Sequence, residues 1–106
     1  MIEVSDVDFM NLTDKRFIVA EFGAEWCGAC KKLMPVLEEL EKEYEDVCFV
    51  HFNFEMGEGQ EVFKKFRVNG LPTIIMFKDG KNFKRFSGLY PKAKIVKMIE
   101  AMLAEE

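Results

Sequence analysis

The chain has 106 residues, 49% of them apolar and 32% charged, with 15 basic side chains against 19 acidic ones for a net charge of −4. That is the length of one folded domain, spanning 1–106, too short for two hydrophobic cores and too apolar for a disordered chain. No basic stripe gathers to meet a phosphate backbone, which argues against a nucleic-acid partner, and the longest apolar stretch, Leu71 to Phe77, is far too short to span a bilayer.

In chain order, Ser5 with Val7, Phe9, Met10 and Leu12 nearby predicts a short opening helix capped by Ser5. The run Phe17-Ile18-Val19-Ala20-Glu21-Phe22 is almost continuously apolar, as in a strand buried on both faces of a parallel sheet, and only Glu21 interrupts it. From Cys30 to about Glu45 the apolar positions Leu33, Leu37, Leu40 and Tyr44 recur at three- and four-residue steps, predicting an amphipathic helix with a kink at Pro35. A second buried strand is expected from Val47 to Phe54. A Gly-bearing loop follows, then a helix from about Glu58 to Phe66 that turns Val62, Phe63 and Phe66 inward.

Val68 to Pro72 reads as a loop, and Thr73 to Lys78 as a strand that Asp79-Gly80 turns into a hairpin with Lys81 to Ser87, ended by Gly88. The last helix, Pro91 to about Ala104, carries Ile95, Val96, Ile99, Met102 and Leu103 on one face. Crossover units force parallel pairing and the terminal hairpin adds antiparallel strands. The expected fold is therefore α/β, a mixed central sheet flanked by helices.

Two of the three cysteines, Cys27 and Cys30, stand two residues apart at a helix start, which is not how a small secreted domain is stapled. They can close a short disulfide. In reduced form, the free N–H groups and positive end of the helix favour a thiolate on Cys27. Cys30, one turn further in, is expected to be less exposed, so Cys27 attacks a substrate disulfide and Cys30 resolves the mixed disulfide. Cys48, in a predicted buried strand, reads as an inert small hydrophobe. The segment Met1 to Met10 carries Glu3, Asp6 and Asp8 and shows no leader pattern, predicting a cytoplasmic address.

Several features taken together resemble thioredoxin over essentially the whole chain. They are Phe22 and Ala24-Glu25-Trp26-Cys27-Gly28-x-Cys30-Lys31 after a buried strand, Pro35 in the helix, Gly70-Leu71-Pro72-Thr73 before a strand, Phe77-Lys78-Asp79-Gly80 at the hairpin, and Gly88. The resemblance implies a three-layer thioredoxin-like fold, a cis Leu71-Pro72 bond facing the disulfide, and a flat docking surface of Trp26, Gly28, Ala29, Leu71, Pro72 and Gly88 around Cys27. Core packing is the competing reading of Trp26. The resemblance also places Glu21 where the family keeps a buried acid, usually Asp, which can take the Cys30 proton; the bland reading is a partly exposed strand-end Glu. His51 stands near the family's usual Lys partner for that acid and reads most simply as a strand histidine. Ala29 replaces the usual Pro of the active turn and leaves the redox poise open.

No Gly-rich phosphate loop or flavin fingerprint appears, so no bound cofactor or metal is expected, and the electrons come from a separate protein. The resemblance implies a thioredoxin reductase, NADPH- or ferredoxin-linked, disulfide-containing protein substrates, and a monomer that carries electrons. Three alternatives stay open at this point. An oxidase or isomerase of the same fold would use the same residues. Zinc or copper(I) on Cys27 and Cys30 would lack further ligands. A non-catalytic interaction module would have no need of both cysteines.

Overall fold

The computed structural model describes residues 1–3, 15–54 and 59–104, and the predicted opening helix capped by Ser5 lies outside the described residues. The elements are β1 (Ile2–Glu3), β2 (Phe17–Gly23), α1 (Gly28–Glu43), β3 (Cys48–Asn53), α2 (Gly59–Lys65), β4 (Thr73–Lys78), β5 (Lys81–Ser87) and α3 (Lys92–Ala104). They form a five-stranded sheet in the order β1-β3-β2-β4-β5. The first three strands in that order run parallel, and β4 and β5 join antiparallel. The sheet is mixed as expected, but only in part for the expected reason: β2 and β3 are parallel across α1, whereas β4, reached from β3 through α2, runs antiparallel to β2, and only the β4–β5 pair comes from the hairpin.

All seven residues of β2 are buried, because helices cover both faces of the sheet at its centre. The strand period of two sorts them. Phe17 and Val19, with Phe49, Ile74 and Met76, pack under Leu33, Leu37 and Leu40 of α1 and Ile95, Ile99 and Met102 of α3. Ile18, Ala20 and Phe22, with Val50, Phe52, Ile75 and Phe77, face Val62 and Phe63 of α2. In this second layer Phe22 stacks on Phe52 at 4.9 Å between centroids and meets Phe63 edge-on at 5.2 Å. Such pairs contribute about 0.5–1.5 kcal/mol each beyond their buried area. The helix α1 continues through Pro35.

Local contacts hold the sheet edge, its hairpin and the loop before β4 in place. The two-residue strand β1, which has no periodicity to betray it, pairs Ile2 with Val50 and Glu3 with His51. Asp79 (φ 51°) and Gly80 (φ 80°) make the β4–β5 turn, both in the left-handed region that a two-residue hairpin demands. Arg67 (φ 53°) ends α2 in the same region, and its neighbour Val68 donates its N–H to the carbonyl of Phe63 at 2.9 Å. Arg85 of β5 donates to the carbonyls of Phe66 (2.6 Å) and Arg67 (3.1 Å), tying down the chain that leads to Pro72.

Candidate active site

Where β2 ends, the chain turns through Ala24 to Trp26 and enters α1 with Cys27 as the N-cap. Cys27 is extended (φ −91°, ψ 110°), and its carbonyl accepts from the N–H of Lys31 at 3.2 Å. In most helices a Ser, Thr, Asn or Asp side chain satisfies a free N–H of the first turn. Here the cap is Sγ of Cys27, which accepts from the N–H of Cys30 at 3.2 Å. The first turn holds no acidic side chain to oppose the helix dipole. Cys27 and Cys30 are joined as a disulfide with Cα atoms 5.3 Å apart, and the two residues are 8% and 3% exposed. Their small difference in exposure runs in the expected direction.

Opposite this turn, the Leu71-Pro72 peptide bond is cis. Leu71 and Ala29 pack on the cluster of Ala24, Cys27 and Cys30. Thr73 fixes this loop from below, its hydroxyl lying 2.6 Å from the carbonyl of Gly70 and 2.9 Å from the hydroxyl of Ser87. Gly88 (φ 93°) donates its N–H to the carbonyl of Pro72 at 2.8 Å, a conformation open to glycine at little cost. Gly28 is exposed, Ala29, Leu71 and Gly88 are half-buried, and Pro72 is buried. Trp26 is 67% exposed, which rules out core packing. It borders a groove of about 180 Å³ lined also by Phe54, Phe63, Val68, Asn69 and Leu71. The sequence pattern put Phe54 at the end of a strand and Val68 and Asn69 in the loop before Pro72, without giving any of them a part in the site.

Behind the cysteines, Glu21 is fully buried, not a partly exposed strand-end residue. Its Oε1 pairs with Nδ1 of His51, its register partner on the neighbouring strand, so His51 is more than a strand histidine. Burial pulls the imidazole pKa down, but the hydrogen bond and negative charge of Glu21, helped by Glu3, outweigh it and hold the pKa above the ordinary histidine value. The other oxygen, Oε2, is buried without a hydrogen-bond partner among the described residues. A Cβ added to Gly23 would meet this oxygen at 2.5 Å and Sγ of Cys30 at 3.1 Å, so the carboxylate and the second sulfur converge on the space that Gly23 leaves open.

Cys48 is half-buried and outside this site; burial pushes its thiol pKa up, against a smaller opposing effect of Lys15. Among the described residues, no group of three or more His, Cys, Asp or Glu side chains is placed to hold a metal ion. No helix among them is long and apolar enough to cross a membrane.

Known proteins resemble this chain in sequence and fold. The sequence model of the thioredoxin family matches residues 1–101. A thioredoxin of Staphylococcus aureus is 32% identical over 103 residues, which is 97% of this chain and 98% of that protein. The crystal structure of Fasciola hepatica thioredoxin superposes with a TM-score of 0.84 at 32% identity, covering 96% of this chain and 99% of that one. A thioredoxin of Nicotiana alata gives 0.86 at 30% identity, covering 95% and 90%. With its paired cysteines at the head of α1 and this likeness along nearly its whole length, the chain belongs to the thioredoxin family and is a thiol-disulfide oxidoreductase.

Proposed function

We propose that this protein reduces protein disulfides, with Cys27 as the attacking sulfur and Cys30 as the resolving one. The observation that carries the assignment is the cap: Sγ of Cys27 accepts the Cys30 N–H at the positive end of α1, where negative charge on sulfur is favoured. In the first step the Cys27 thiolate attacks one sulfur of the substrate disulfide. A Cys27–substrate bond forms, and the other substrate sulfur leaves with the electron pair. In the second step Cys30 loses its proton and attacks Cys27, closing the Cys27–Cys30 disulfide and releasing the second substrate sulfur as a thiolate. Two electrons have then passed to the substrate.

Glu21 is the base of the second step. Support comes from its unpartnered Oε2, which shares the space beside Gly23 with the Cys30 sulfur. Trp26, Gly28, Ala29, Leu71, Pro72 and Gly88 form the docking surface, where an extended substrate segment runs past the loop before β4. The oxidised protein is recycled by a thioredoxin reductase, NADPH- or ferredoxin-linked, so the chain serves as an electron carrier. We take it to act as a single-domain monomer in the cytoplasm.

The roles of the sulfurs are tested by Cys30→Ser. This variant should still attack a protein disulfide but accumulate a mixed disulfide through Cys27 that dithiothreitol dissolves, while Cys27→Ser should trap and reduce nothing. Mass spectrometry locates the linkage. A substrate joined through Cys48, or insulin reduction by Cys27→Ser, overturns the assignment.

A further inference from the structure

The two oxygens of Glu21 face different partners, and neither reaches water. Oε2 and the Cys30 sulfur border the same space beside Gly23, Oε1 is bound by Nδ1 of His51, and the side chain has no exposed surface. A base so enclosed can take a proton from Cys30 but has no direct way to pass one on. His51 is different: 16% of its side-chain surface is exposed. It also lines a groove of about 300 Å³ together with Ala24, Glu25, Cys30, Lys31 and Met34. With Nδ1 committed to Glu21, Nε2 remains as the ring's second position for a proton.

We propose that His51 is the port through which the proton that Glu21 takes from Cys30 is balanced by release of a proton to solvent. The proposal rests on Glu21 being the base of the second step. It makes His51 a positioning residue that acts through Glu21 and never touches the substrate. The charges around the ring favour such a part. Glu3 on β1 and Glu21 on β2 are its register partners on either side, and Glu25 and Lys31 border the same groove. The α-amino group of Met1 opposes the imidazolium more weakly than Glu21 supports it. The carboxylates of Glu21 and Glu3 raise the ring's pKa above the ordinary histidine value, which favours the imidazolium as the partner of Glu21 before the step.

The step then balances. The Cys30 S–H bond breaks and its proton passes to Oε2 of Glu21, while the sulfur's electron pair forms the bond to Cys27. The bond from Cys27 to the substrate sulfur breaks, and its electron pair leaves on that sulfur. With Glu21 protonated, the imidazolium loses its stabilising carboxylate and gives its Nε2 proton to water. The departing substrate thiolate takes up a proton from water in turn. Cys27 and Cys30 are oxidised, the substrate is reduced, and no external reductant is needed in this half-reaction.

A symmetrical aromatic disulfide whose thiolate is coloured separates the two steps, because attack by Cys27 releases one equivalent and resolution by Cys30 a second. In stopped-flow experiments near neutral pH, His51→Gln, which can still donate to Glu21 but cannot carry a proton, should leave the first release unchanged. It should slow the second by about tenfold or more, as loss of general acid-base assistance does. Imidazole added at constant pH and ionic strength should restore the second release in proportion to its concentration. Glu21→Gln should slow the second release without rescue by imidazole. A normal second release in His51→Gln, or a slow one indifferent to imidazole, overturns the relay while a slow Glu21→Gln leaves the base in place. A normal second release in Glu21→Gln removes the base, and the relay with it.

Discussion

A Cβ on Gly23 would stand 2.5 Å from Oε2 of Glu21, closer than a methyl group and an oxygen can approach. The backbone of Gly23 needs no left-handed conformation and continues the β2–β3 register opposite Asn53, so the glycine is required by space alone. Glu21 cannot yield easily, being fully buried and held through Oε1 by His51. Gly23→Ala should therefore destabilise the oxidised protein by about 1–3 kcal/mol, the usual cost of overpacking a core, as read by urea unfolding. Paired with Glu21→Ala, which removes the obstructing oxygen, it should cost less than it does alone. Strict additivity of the two changes would refute the clash.

Trp26 offers a test of docking separate from chemistry. Since 67% of it is exposed, Trp26→Ala should change stability by less than about 1 kcal/mol, within the range of surface substitutions. Reduction of a protein disulfide should fall severalfold, mainly through KM, while reduction of a small aromatic disulfide stays near the parent rate. Equal loss on both substrates would count against Trp26 as part of the docking surface.

Ala29 is the second residue of α1, where a backbone N–H has no partner within the helix and proline's lack of one costs little. Gly28 before it tolerates the restriction that a proline imposes on its predecessor. Ala29→Pro should stiffen the turn and favour the closed disulfide over the open dithiol, which lowers the reduction potential against glutathione. A change of about 30 mV corresponds to roughly 1.4 kcal/mol for this two-electron couple. An unchanged or higher potential would show that the residue does not set the poise.

The His51–Glu21 pair makes stability depend on pH with a defined sign. The folded-state pKa of His51 is raised above its value in the unfolded chain despite burial. Its stabilising contribution is therefore fully present below about pH 6.5 and is lost as pH rises through the folded-state value. The stability difference between the parent protein and His51→Gln, from urea unfolding of the oxidised forms, should be largest near pH 6 and shrink on the alkaline side. A difference that grows with pH would contradict the raised value.

Most of the architecture was legible because burial leaves a strong pattern. The apolar run of β2, broken only by Glu21, the period of Leu33, Leu37 and Leu40, and the Asp79-Gly80 turn each match their elements closely. The strand β1 was not legible, since two residues at a sheet edge carry no period and are held by register with Val50 and His51. Arg67 was missed for another reason: a left-handed helix end usually announces itself with Gly or Asn, and here Arg85 helps to hold an unfavoured residue in place. At the site, the spacing of Cys27 and Cys30 was plain. The bond between Glu21 and His51 was not, because residues thirty apart meet only once the register of β2 and β3 is known.

The sulfur that caps α1 is also the atom at which the chemistry takes place, and this gives the protein a built-in gauge. The Cys30 amide proton has the nucleophile itself as its acceptor. When the disulfide opens and Cys27 ionises, that contact changes from a weak bond to a neutral sulfur into a charge-assisted one. The resonance of this one N–H therefore tracks each state of the cycle, oxidised, thiol and thiolate, from inside the backbone and without any added label.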